Sequence, residues 1–355
     1  MEMNEVFDVT IIGGGSAGLF ASFYSGLREM KTKIIEYQDQ LGGKVHVYPE
    51  KMIWDIGGLP PISGEQLIHQ MTEQALTFDP EVVLGEKVTN ITKNEEGVFV
   101  LETESGQKHL SKTVIVAIGG GIINPQKLEI EGAQKYCQSN LSYTIKSLQR
   151  FKNKTVLISG GGHTAVDWAN ELEPIAKQVY LTYRKGELNG HEADVSRLLN
   201  SSVECYCHTE IAELLPDPSG NSIEKVKLIN NRTGETTVLT VDEVVVNHGY
   251  VRDRALLDNS DLNVDTAGYF IKGNAYCETS VPGLFAAGDV IDYEGKVHLI
   301  AGAFQDAINA VNKAKRFIEP EADEKGTVSS HNEIFYERNR RIIHQQIREH
   351  AVSGK

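Results

Sequence analysis

The 355 residues, 40% of them hydrophobic and 24% charged, are typical of a globular protein long enough for two cored domains. The formal net charge of −14 argues against nonspecific binding to nucleic acid or an anionic membrane, because long-range repulsion opposes each encounter. The longest apolar runs are strand-sized and no secretory signal is visible, so we expect a soluble, cytoplasmic protein that does not bind membranes or nucleic acid.

The N-terminal part of the sequence predicts one β-α-β unit. In chain order we expect a strand at 7–12, a glycine-rich turn at 13–18, a helix at 19–30 and a strand at 32–36. Alternating short strands and turns between 82 and 112 then predict an antiparallel meander that decorates this first unit.

The turn Gly13-Gly14-Gly15-Ser16-Ala17-Gly18 has the spacing of a dinucleotide fingerprint and stands between a strand and a helix. Gly13 permits the tight turn, Gly15 lets the backbone approach a pyrophosphate, and Gly18 lets the helix pack against the strand. The helix N-terminus supplies amide donors. Glu36, at the end of the next strand, can accept hydrogen bonds from ribose hydroxyls. This context favours a dinucleotide site over a purely structural turn.

The same order of elements returns in the middle of the chain. We expect a strand at 154–159, a turn at 160–162, a helix at 164–177, a strand at 178–184 and a second meander at 202–248. An apolar strand at 282–289 and a helix at about 302–318 follow, and 332–350 has near-helical spacing in a polar tail. Because the strand at 282–289 has no domain of its own, we expect it to return to the first sheet.

These elements predict an α/β protein with two nested Rossmann-like dinucleotide-binding domains of three-layer ββα build. The first domain is expected to be discontinuous, at 1–119 and 249–326. The second is expected to be inserted at 120–248, and 327–355 to form a short C-terminal extension.

The second glycine-rich turn differs from the first at its strand end. Ala165 stands in the third fingerprint position, which the fingerprint allows. No acidic residue follows, and Arg184 and Lys185 suit the 2′-phosphate of NADP better than a carboxylate would, although they are equally consistent with a solvated basic edge. His163 is expected near the pyrophosphate without a proton-transfer role. The predicted NADPH contacts are Gly160, Gly162, His163, Thr164, Ala165, Arg184 and Lys185.

Five further stretches carry a resemblance to a known family. They are Leu41-Gly42-Gly43, Gly57-Gly58-Leu59-Pro60, Ser63-Gly64-Glu65, Val116-Ala117-Ile118-Gly119-Gly120 and Ala286-Ala287-Gly288-Asp289. With them the chain resembles the low-molecular-weight thioredoxin reductases over nearly its whole length. The resemblance implies FAD on the first domain, with Asp289 near its ribityl and pyrophosphate and the helix near 302 aimed at the flavin pyrimidine.

One departure from that family is informative. Thioredoxin reductases carry a C-x-x-C disulfide just before the second glycine turn, but here Ser142-Tyr143 is followed by Thr144-Ile145-Lys146-Ser147. Without a dithiol, electrons must leave the flavin directly. The chain therefore resembles the ferredoxin/flavodoxin–NADP⁺ reductases of the thioredoxin-reductase-like type. That resemblance implies hydride transfer from NADPH to FAD N5, single-electron transfer to ferredoxin or flavodoxin, and a homodimer.

Two stretches are similar to that subfamily, Tyr48-Pro49-Glu50-Lys51 with Trp54-Asp55 and Val328-Ser329-Ser330-His331. The resemblance implies Tyr48 on one flavin face and His331 on the other, which makes the extension a candidate gate. Core packing for Tyr48, a solvated tail for His331 and a cap for Asp55 are the alternatives. Tyr48, Ser330 and His331 are predicted at the reacting ring. The predicted FAD contacts are Gly13, Gly15, Ser16, Ala17, Gly18, Glu36, Gln40, Gly43, Lys44, Tyr48, Asp55, Val88, Ile123, Asp289 and Ser330.

Charged positions outside the fingerprints bear on the dinucleotide and on the electron carrier. Asn189 replaces a charge that relatives of this type commonly carry, which should weaken the preference for NADPH by about 1 kcal/mol. Two basic clusters are either docking surfaces for an acidic carrier or ordinary solvated faces. They are Lys146, Arg150, Lys152 and Lys154, and Arg338, Arg340, Arg341 and Arg348.

Two other functions are compatible with the sequence. The first is a thiol/disulfide or quinone reductase that uses Cys205 and Cys207, and the second is a flavin redox sensor without turnover. The other cysteines are Cys137 and Cys277, and the four together form no zinc pattern, so we expect no metal site.

Overall fold

The computed structural model describes residues 5–121, 124–251, 255–326 and 328–353. The helices are α1 (Ser16–Leu27), α2 (Gly64–Ala75), α3 (His163–Leu172), α4 (Glu192–Leu199), α5 (Ala255–Asp258), α6 (Ile300–Ile318) and α7 (Tyr336–Ser353). Single 3₁₀ turns lie at Gly43–Val47, Leu76–Phe78, Ala133–Gln138, Leu148–Phe151, Gly288–Val290, Ser329–His331 and Glu333–Phe335. None of the helices in these ranges is long and apolar enough to cross a bilayer.

The strands alternate with the helices along much of the chain. The first group is β1 (Val6–Ile12), β2 (Thr32–Glu36), β3 (Met52–Ile53), β4 (Ile62–Ser63), β5 (Glu81–Leu84), β6 (Val88–Lys93), β7 (Phe99–Thr103) and β8 (Lys108–Val116). The middle group is β9 (Asn124–Pro125), β10 (Leu141–Ser142), β11 (Thr155–Ser159), β12 (Gln178–Tyr183), β13 (Glu204–Cys207), β14 (Thr209–Pro216), β15 (Ile223–Asn230), β16 (Thr236–Thr240), β17 (Glu243–Val246) and β18 (Tyr250–Val251). The last group is β19 (Thr266–Ala267), β20 (Phe270–Lys272), β21 (Leu284–Ala286) and β22 (Ile291–Asp292).

The first sheet has the strand order β5-β2-β1-β8-β7-β6. The pairs from β5 to β8 are parallel, and those from β8 to β6 are antiparallel. The predicted meander therefore needs a correction, because β5 is a parallel neighbour of β2 and the antiparallel part begins only at β6. β2 is buried at all of its positions, although only Ile34 and Ile35 of its five residues are apolar.

β8 has two different partners on one of its edges. Its first half pairs with β7, and Val114 to Val116 pair in parallel with β21. This register places the end of β21, and the Ala287-Gly288-Asp289 turn that follows, beside the end of β1 and its glycine-rich turn. Parallel strands bring their carboxyl ends to one edge, where α/β proteins bind ligands.

The second sheet is parallel, with the order β10-β17-β11-β12-β13, and a separate antiparallel sheet β14-β15-β16 packs against it. Alternation along β11 separates its two faces. Val156 and Ile158 face the cluster that includes α3, whereas Leu157 faces the antiparallel sheet. The three layers of the predicted ββα build follow from this alternation. β13 and β17 belong to the parallel sheet, so the second meander is also shorter than predicted.

Helix boundaries differ from the predictions where caps and prolines act. α1 begins at Ser16 because Gly15 is its N-cap, and no apolar periodicity marks that first turn. α3 ends at Leu172 rather than at 177, since Pro174 has no backbone N–H with which to continue the helical hydrogen bonds. α7 is preceded by Phe335, whose ring packs on Phe23 of α1 and on Phe78.

Candidate dinucleotide sites

A cavity of about 590 Å³ lies at the carboxyl edge of the first sheet, which is a typical size for a cofactor site. Eleven of the predicted FAD contacts line it. They are Gly13, Gly15, Ser16, Ala17, Glu36, Gly43, Lys44, Tyr48, Asp55, Val88 and Asp289. The first glycine turn, the 43–55 segment and the Gly288-Asp289 turn therefore face one space.

Close backbone approaches explain the glycines of this cavity. Gly13 has φ of +107°, and a Cβ there would lie 2.5 Å from the carbonyl oxygen of Ala117. Gly43 has φ of +58°, and its Cβ would lie 2.6 Å from the Cα of Gly15. The two turns can approach this closely only while both lack side chains. The N–H groups of Gly13 and Gly14 donate to Ile35 O and to Glu36, so the amides at the uncapped start of α1 are the ones that suit a pyrophosphate.

Two helices point uncapped N-termini at the cavity. α1 has Gly15 and α6 has Leu299 as N-cap, and neither receives a side-chain hydrogen bond. In contrast, α2 begins with a complete capping box of Ser63 and Gln66. The free amides and positive dipole ends of α1 and α6 are therefore available to an anionic or electron-rich ligand.

Glu36 lies at the end of β2, as predicted, and exposes only 7% of its surface. Its carboxylate accepts hydrogen bonds from the backbone N–H groups of Gly14 and, at 2.8 Å, Gln38. These bonds hold the carboxylate at the glycine turn, and its remaining lone pairs suit ribose hydroxyls.

Tyr48 lines the cavity together with the carboxylates of Asp55 and Asp289. Burial raises the pKa of the Tyr48 phenol, and the charges of Asp289 and Asp55 raise it further, so the ring stays neutral. His298 lies 3.5 Å from Asp289 through Nδ1 and Oδ1 and also lines the cavity. The sequence did not indicate His298, because its loop carries no fingerprint.

A buried ion pair supports this part of the cavity. Asp306 of α6, fully buried, accepts hydrogen bonds from Gly288 N at 2.9 Å, Tyr293 OH at 2.7 Å and Lys296 Nζ at 2.6 Å. Burial and the Asp306 carboxylate raise the pKa of Tyr293. One carboxylate thus fixes the turn that carries Asp289 and the loop that carries His298.

Gly18, Gln40 and Ser330, which are also predicted FAD contacts, are not among the described residues that line the cavity. Gly18 packs against the backbone of the glycine turn, since a Cβ there would lie 1.9 Å from the Gly13 carbonyl oxygen. Gln40 and Ser330 are exposed, and Ile123 lies outside the described residues. Among the described cavity residues there is none from the 328–353 segment, so the contacts of Ser330 and His331 with the flavin stay predictions.

The second glycine turn forms a more open site. Gly160 has φ of +152°, and a Cβ there would lie 2.4 Å from the carbonyl oxygen of Asn247. Gly162 is the N-cap of α3 without a side-chain hydrogen bond. Exposed residues surround the turn, namely His163, Thr164, Arg184 and Lys185, while Ala165 is buried in the helix contact.

Two residues near this turn bear on dinucleotide binding. The backbone N–H of Asn189 donates to the Gly161 carbonyl at 2.8 Å, so the residue that replaces a charge lies beside the turn. His248, at the end of β17, is 2.9 Å from Ser159 Oγ through Nε2. Burial lowers the pKa of His248, and Arg184 lowers it further, so its ring is neutral at pH 7. The sequence did not indicate His248.

The first basic cluster is partly neutralised inside the fold. Arg150 and Lys154 form ion pairs with Glu243, at 2.8 Å and 2.6 Å, and the Glu243 side chain is only 4% exposed. These two cations anchor the start of β17. The prediction that the whole cluster is a docking surface therefore needs a correction. Of its four residues, only Lys146 and Lys152 remain candidates for contact with a carrier protein.

Cys205 and Cys207 lie on β13 at the edge of the second sheet and are not among the described residues that line the cavity. Burial raises the pKa of the Cys205 thiol, and Cys207 raises it further, which lowers the thiolate fraction. Both thiols are free. This arrangement does not favour a dithiol relay from the cavity.

Two β-α-β units with glycine turns, one at a large cavity and one at an open surface, define a dinucleotide-dependent oxidoreductase of the α/β class. The family model for pyridine nucleotide-disulphide oxidoreductases matches residues 7–314. The chain belongs to this family.

Similar proteins cover almost the whole chain. "Ferredoxin--NADP reductase 1" of Bacillus licheniformis is 65% identical over 97% of this chain and 99% of its own length. "Ferredoxin--NADP reductase 2" of Exiguobacterium sibiricum is 60% identical over 98% of this chain and 99% of its own length. The thioredoxin reductase of Lactococcus lactis, in a crystal structure described as the FR conformation, is 27% identical with a TM-score of 0.72 over 88% of this chain and 99% of that one.

Proposed function

We propose that this protein is an FAD-dependent ferredoxin–NADP⁺ reductase. The relatives at 60–65% identity carry that name, and thioredoxin reductases share the fold at lower identity. Bound FAD would supply the redox chemistry, namely hydride acceptance at N5 from NADPH and single-electron transfer to a small carrier protein. The observation that carries the proposal is the cavity, because its fingerprint residues fit a dinucleotide and its described lining contains no cysteine.

The protein's own residues bind and orient the two nucleotides. The uncapped N-terminus of α1 and the bare turn at Gly13 and Gly15 suit the FAD pyrophosphate, with Glu36 on its ribose. The N-terminus of α6 suits the pyrimidine end of the flavin, where its dipole favours negative charge. The turn at Gly160 with Arg184 and Lys185 suits NADPH, and Asn189 weakens that preference. The neutral Tyr48 phenol offers a ring for stacking.

The predicted domain division goes with these roles. We assign FAD to 1–119 and 249–326, NADPH to 120–248, and a covering role to the extension at 327–355. The pairing of β21 with β8 and the short ribbon of β9 and β18 support the division. In this proposal the extension covers the face of the flavin that NADPH approaches, so removing the extension should accelerate hydride transfer from NADPH.

Three finer assignments accompany the proposal. Flavodoxin is an alternative carrier, the protein acts in the cytoplasm, and it forms a homodimer, as the resemblance implies. Light scattering of the holoenzyme as it elutes from a size-exclusion column measures the oligomeric state directly. The mass of a single chain would contradict the homodimer.

Acceptor specificity tests the proposed function. NADPH oxidation is measured with oxidised ferredoxin, with flavodoxin and with a protein disulfide, for the wild type and for Cys205→Ser/Cys207→Ser. We expect turnover with ferredoxin, little with the disulfide, and no effect of the double substitution. Disulfide reduction that disappears in the variant would establish the thiol reductase instead, and no turnover with any acceptor would favour a sensor.

A further inference from the structure

One cation joins the segment beside the flavin cavity to a helix of the NADPH unit. Lys51 Nζ lies 2.7 Å from Asp167 Oδ2 and 3.1 Å from Glu171 Oε1. The same ammonium lies 4.7 Å from the ring centroid of Trp168. All three partners lie on α3. A single side chain of the flavin unit therefore contacts three residues on one helix of the NADPH unit.

The two ends of this contact belong to the two nucleotide sites. Lys51 lines the flavin cavity and follows Tyr48 by three residues. Asp167 lies about 6 Å along the axis of α3 from the start of that helix, at a rise of about 1.5 Å per residue. The second glycine turn leads directly into that start. The contact therefore couples the NADPH turn to the flavin segment through a short, rigid path.

A neighbouring hydrogen bond repeats the connection. Leu148 N, at the start of the 3₁₀ turn Leu148–Phe151, donates to Glu50 Oε2 at 2.7 Å. Residues 50 and 51 thus hold two separate elements of the NADPH unit. The side chain of Lys51 is 24% exposed. Although burial alone lowers the pKa of Lys51, the hydrogen bond with Asp167 and the charge of Glu171 outweigh it and raise the pKa above the ordinary lysine value. The ammonium therefore stays charged at neutral pH.

We propose that Lys51 is an interdomain positioning residue, which holds α3 and the dinucleotide at its N-terminus at the separation from the flavin cavity that hydride transfer requires. The proposal rests on the proposed function, because it needs NADPH to reduce the flavin. Misplacement of reacting groups by about 1 Å can cost on the order of 100-fold in rate. The contact of Lys51 with α3 therefore affects the rate of hydride transfer although Lys51 does not touch the reacting atoms.

The test compares Lys51→Met with Lys177→Met, an exposed lysine beyond the other end of α3. Flavin bleaching by NADPH is followed by anaerobic stopped-flow mixing of each FAD-loaded protein. We expect Lys51→Met to slow bleaching about tenfold, a part of the loss that about 1 Å of misplacement can cause. Lys177→Met should match the wild type. Reoxidation of the bleached proteins by oxidised ferredoxin should proceed at equal rates, since that step does not use α3.

Two further variants and a structural readout separate positioning from damage to the fold. Lys51→Arg keeps a cation and should restore most of the rate, and Lys51→Glu combined with Asp167→Lys should recover part of what Lys51→Glu loses. The bound FAD per chain and the circular dichroism spectrum of the Lys51→Met protein should match those of the wild type, which shows that both units stay folded.

The outcomes are distinct. Bleaching of Lys51→Met at the wild-type rate, or an equal slowing in Lys177→Met, would overturn the positioning role. A slowed Lys51→Met variant whose rate Lys51→Arg does not restore would also overturn it. Failure of the proposed function looks different, because NADPH would then leave the wild-type flavin unbleached.

Discussion

The two glycine turns show how one β-α-β pattern produces two different nucleotide sites. In the first, helix and strand are so close that a Cβ at Gly18 would lie 1.9 Å from the Gly13 carbonyl oxygen. In the second turn the equivalent position holds Ala165, and its methyl group would lie 3.2 Å from a Cβ built on Gly160. The third fingerprint position therefore accepts no side chain in the first turn, whereas it accepts the methyl group of alanine in the second.

The strand ends extend the contrast. Glu36 is buried and held by two backbone amides, while Arg184 and Lys185 are exposed. A cavity with a buried, fixed carboxylate suits a resident cofactor. An open site with exposed cations suits a nucleotide that enters and leaves in every turnover. The comparison makes four predictions, which follow from the largest expected effect to the smallest.

The strongest test of the contrast is Gly18→Ala against Gly162→Ala. The first substitution forces a methyl group against the Gly13 carbonyl and should cost about 3 kcal/mol or more, as severe overpacking does. We expect purified Gly18→Ala to lack FAD, measured as bound flavin per chain. Gly162 has open space and an ordinary φ of −95°, so Gly162→Ala should retain FAD fully. Equal FAD content in the two variants would show that the two turns do not differ as described.

Lys296→Met examines the support beneath the first site. It leaves Asp306 buried without its cation, which typically costs about 3–5 kcal/mol. Thermal or urea unfolding should show this loss, along with weaker FAD retention. The matched control is Lys315→Met, which removes an ion pair with the exposed Glu319 and should cost at most about 1 kcal/mol. Similar losses in both variants would remove the special role of the buried pair.

Arg184→Ala tests the second site. Loss of one exposed contact with the 2′-phosphate should raise the KM for NADPH about tenfold, equivalent to about 1.4 kcal/mol, with the KM for NADH unchanged. Lys177→Ala serves as the control for net charge. Parallel changes with both nucleotides would mean that Arg184 does not recognise the 2′-phosphate.

The smallest effect concerns acid stability in the first sheet. Burial lowers the pKa of His109, and Lys33, whose Nζ lies 3.2 Å from Nδ1, lowers it further. The unfolded chain therefore takes up a proton below about pH 6.5, which the folded protein resists, so stability falls from there down to the lowered native pKa. His109→Gln should flatten this fall in unfolding experiments between about pH 7 and pH 5. His69→Gln, at an exposed histidine, should leave it unchanged.

The sequence predicts the parts of the sites that are local. A glycine turn, the helix after it and the residue at the next strand end lie within one continuous stretch, so spacing alone locates Gly13, Glu36 and Ala165. His298 and Lys51 could not be found in this way. The loop of His298 is placed by the distant pair of Lys296 and Asp306, and Lys51 acquires its role only by meeting α3.

The sequence also did not predict the roles of residues whose partners are distant in the chain and are brought close only by tertiary packing. The chemistry of Arg150 and Lys154 is set by Glu243, more than eighty residues away in sequence, which turned a supposed surface cluster into an anchor. The extension is similar, since the contact of Phe335 with Phe23 and Phe78 cannot be inferred from helical spacing. The periodicity of such a segment predicts a helix, but it does not indicate which other segment the helix contacts.

The central claim is that the flavin alone connects NADPH with the carrier. Sequential anaerobic mixing tests it most directly, with the FAD-loaded protein first given NADPH and then oxidised ferredoxin, in the wild type and in Cys137→Ser/Cys205→Ser/Cys207→Ser. The account predicts that the yellow absorbance bleaches and returns at the same rates in both proteins. Absorbance that NADPH does not bleach, or that returns only when the thiols are present, would contradict it.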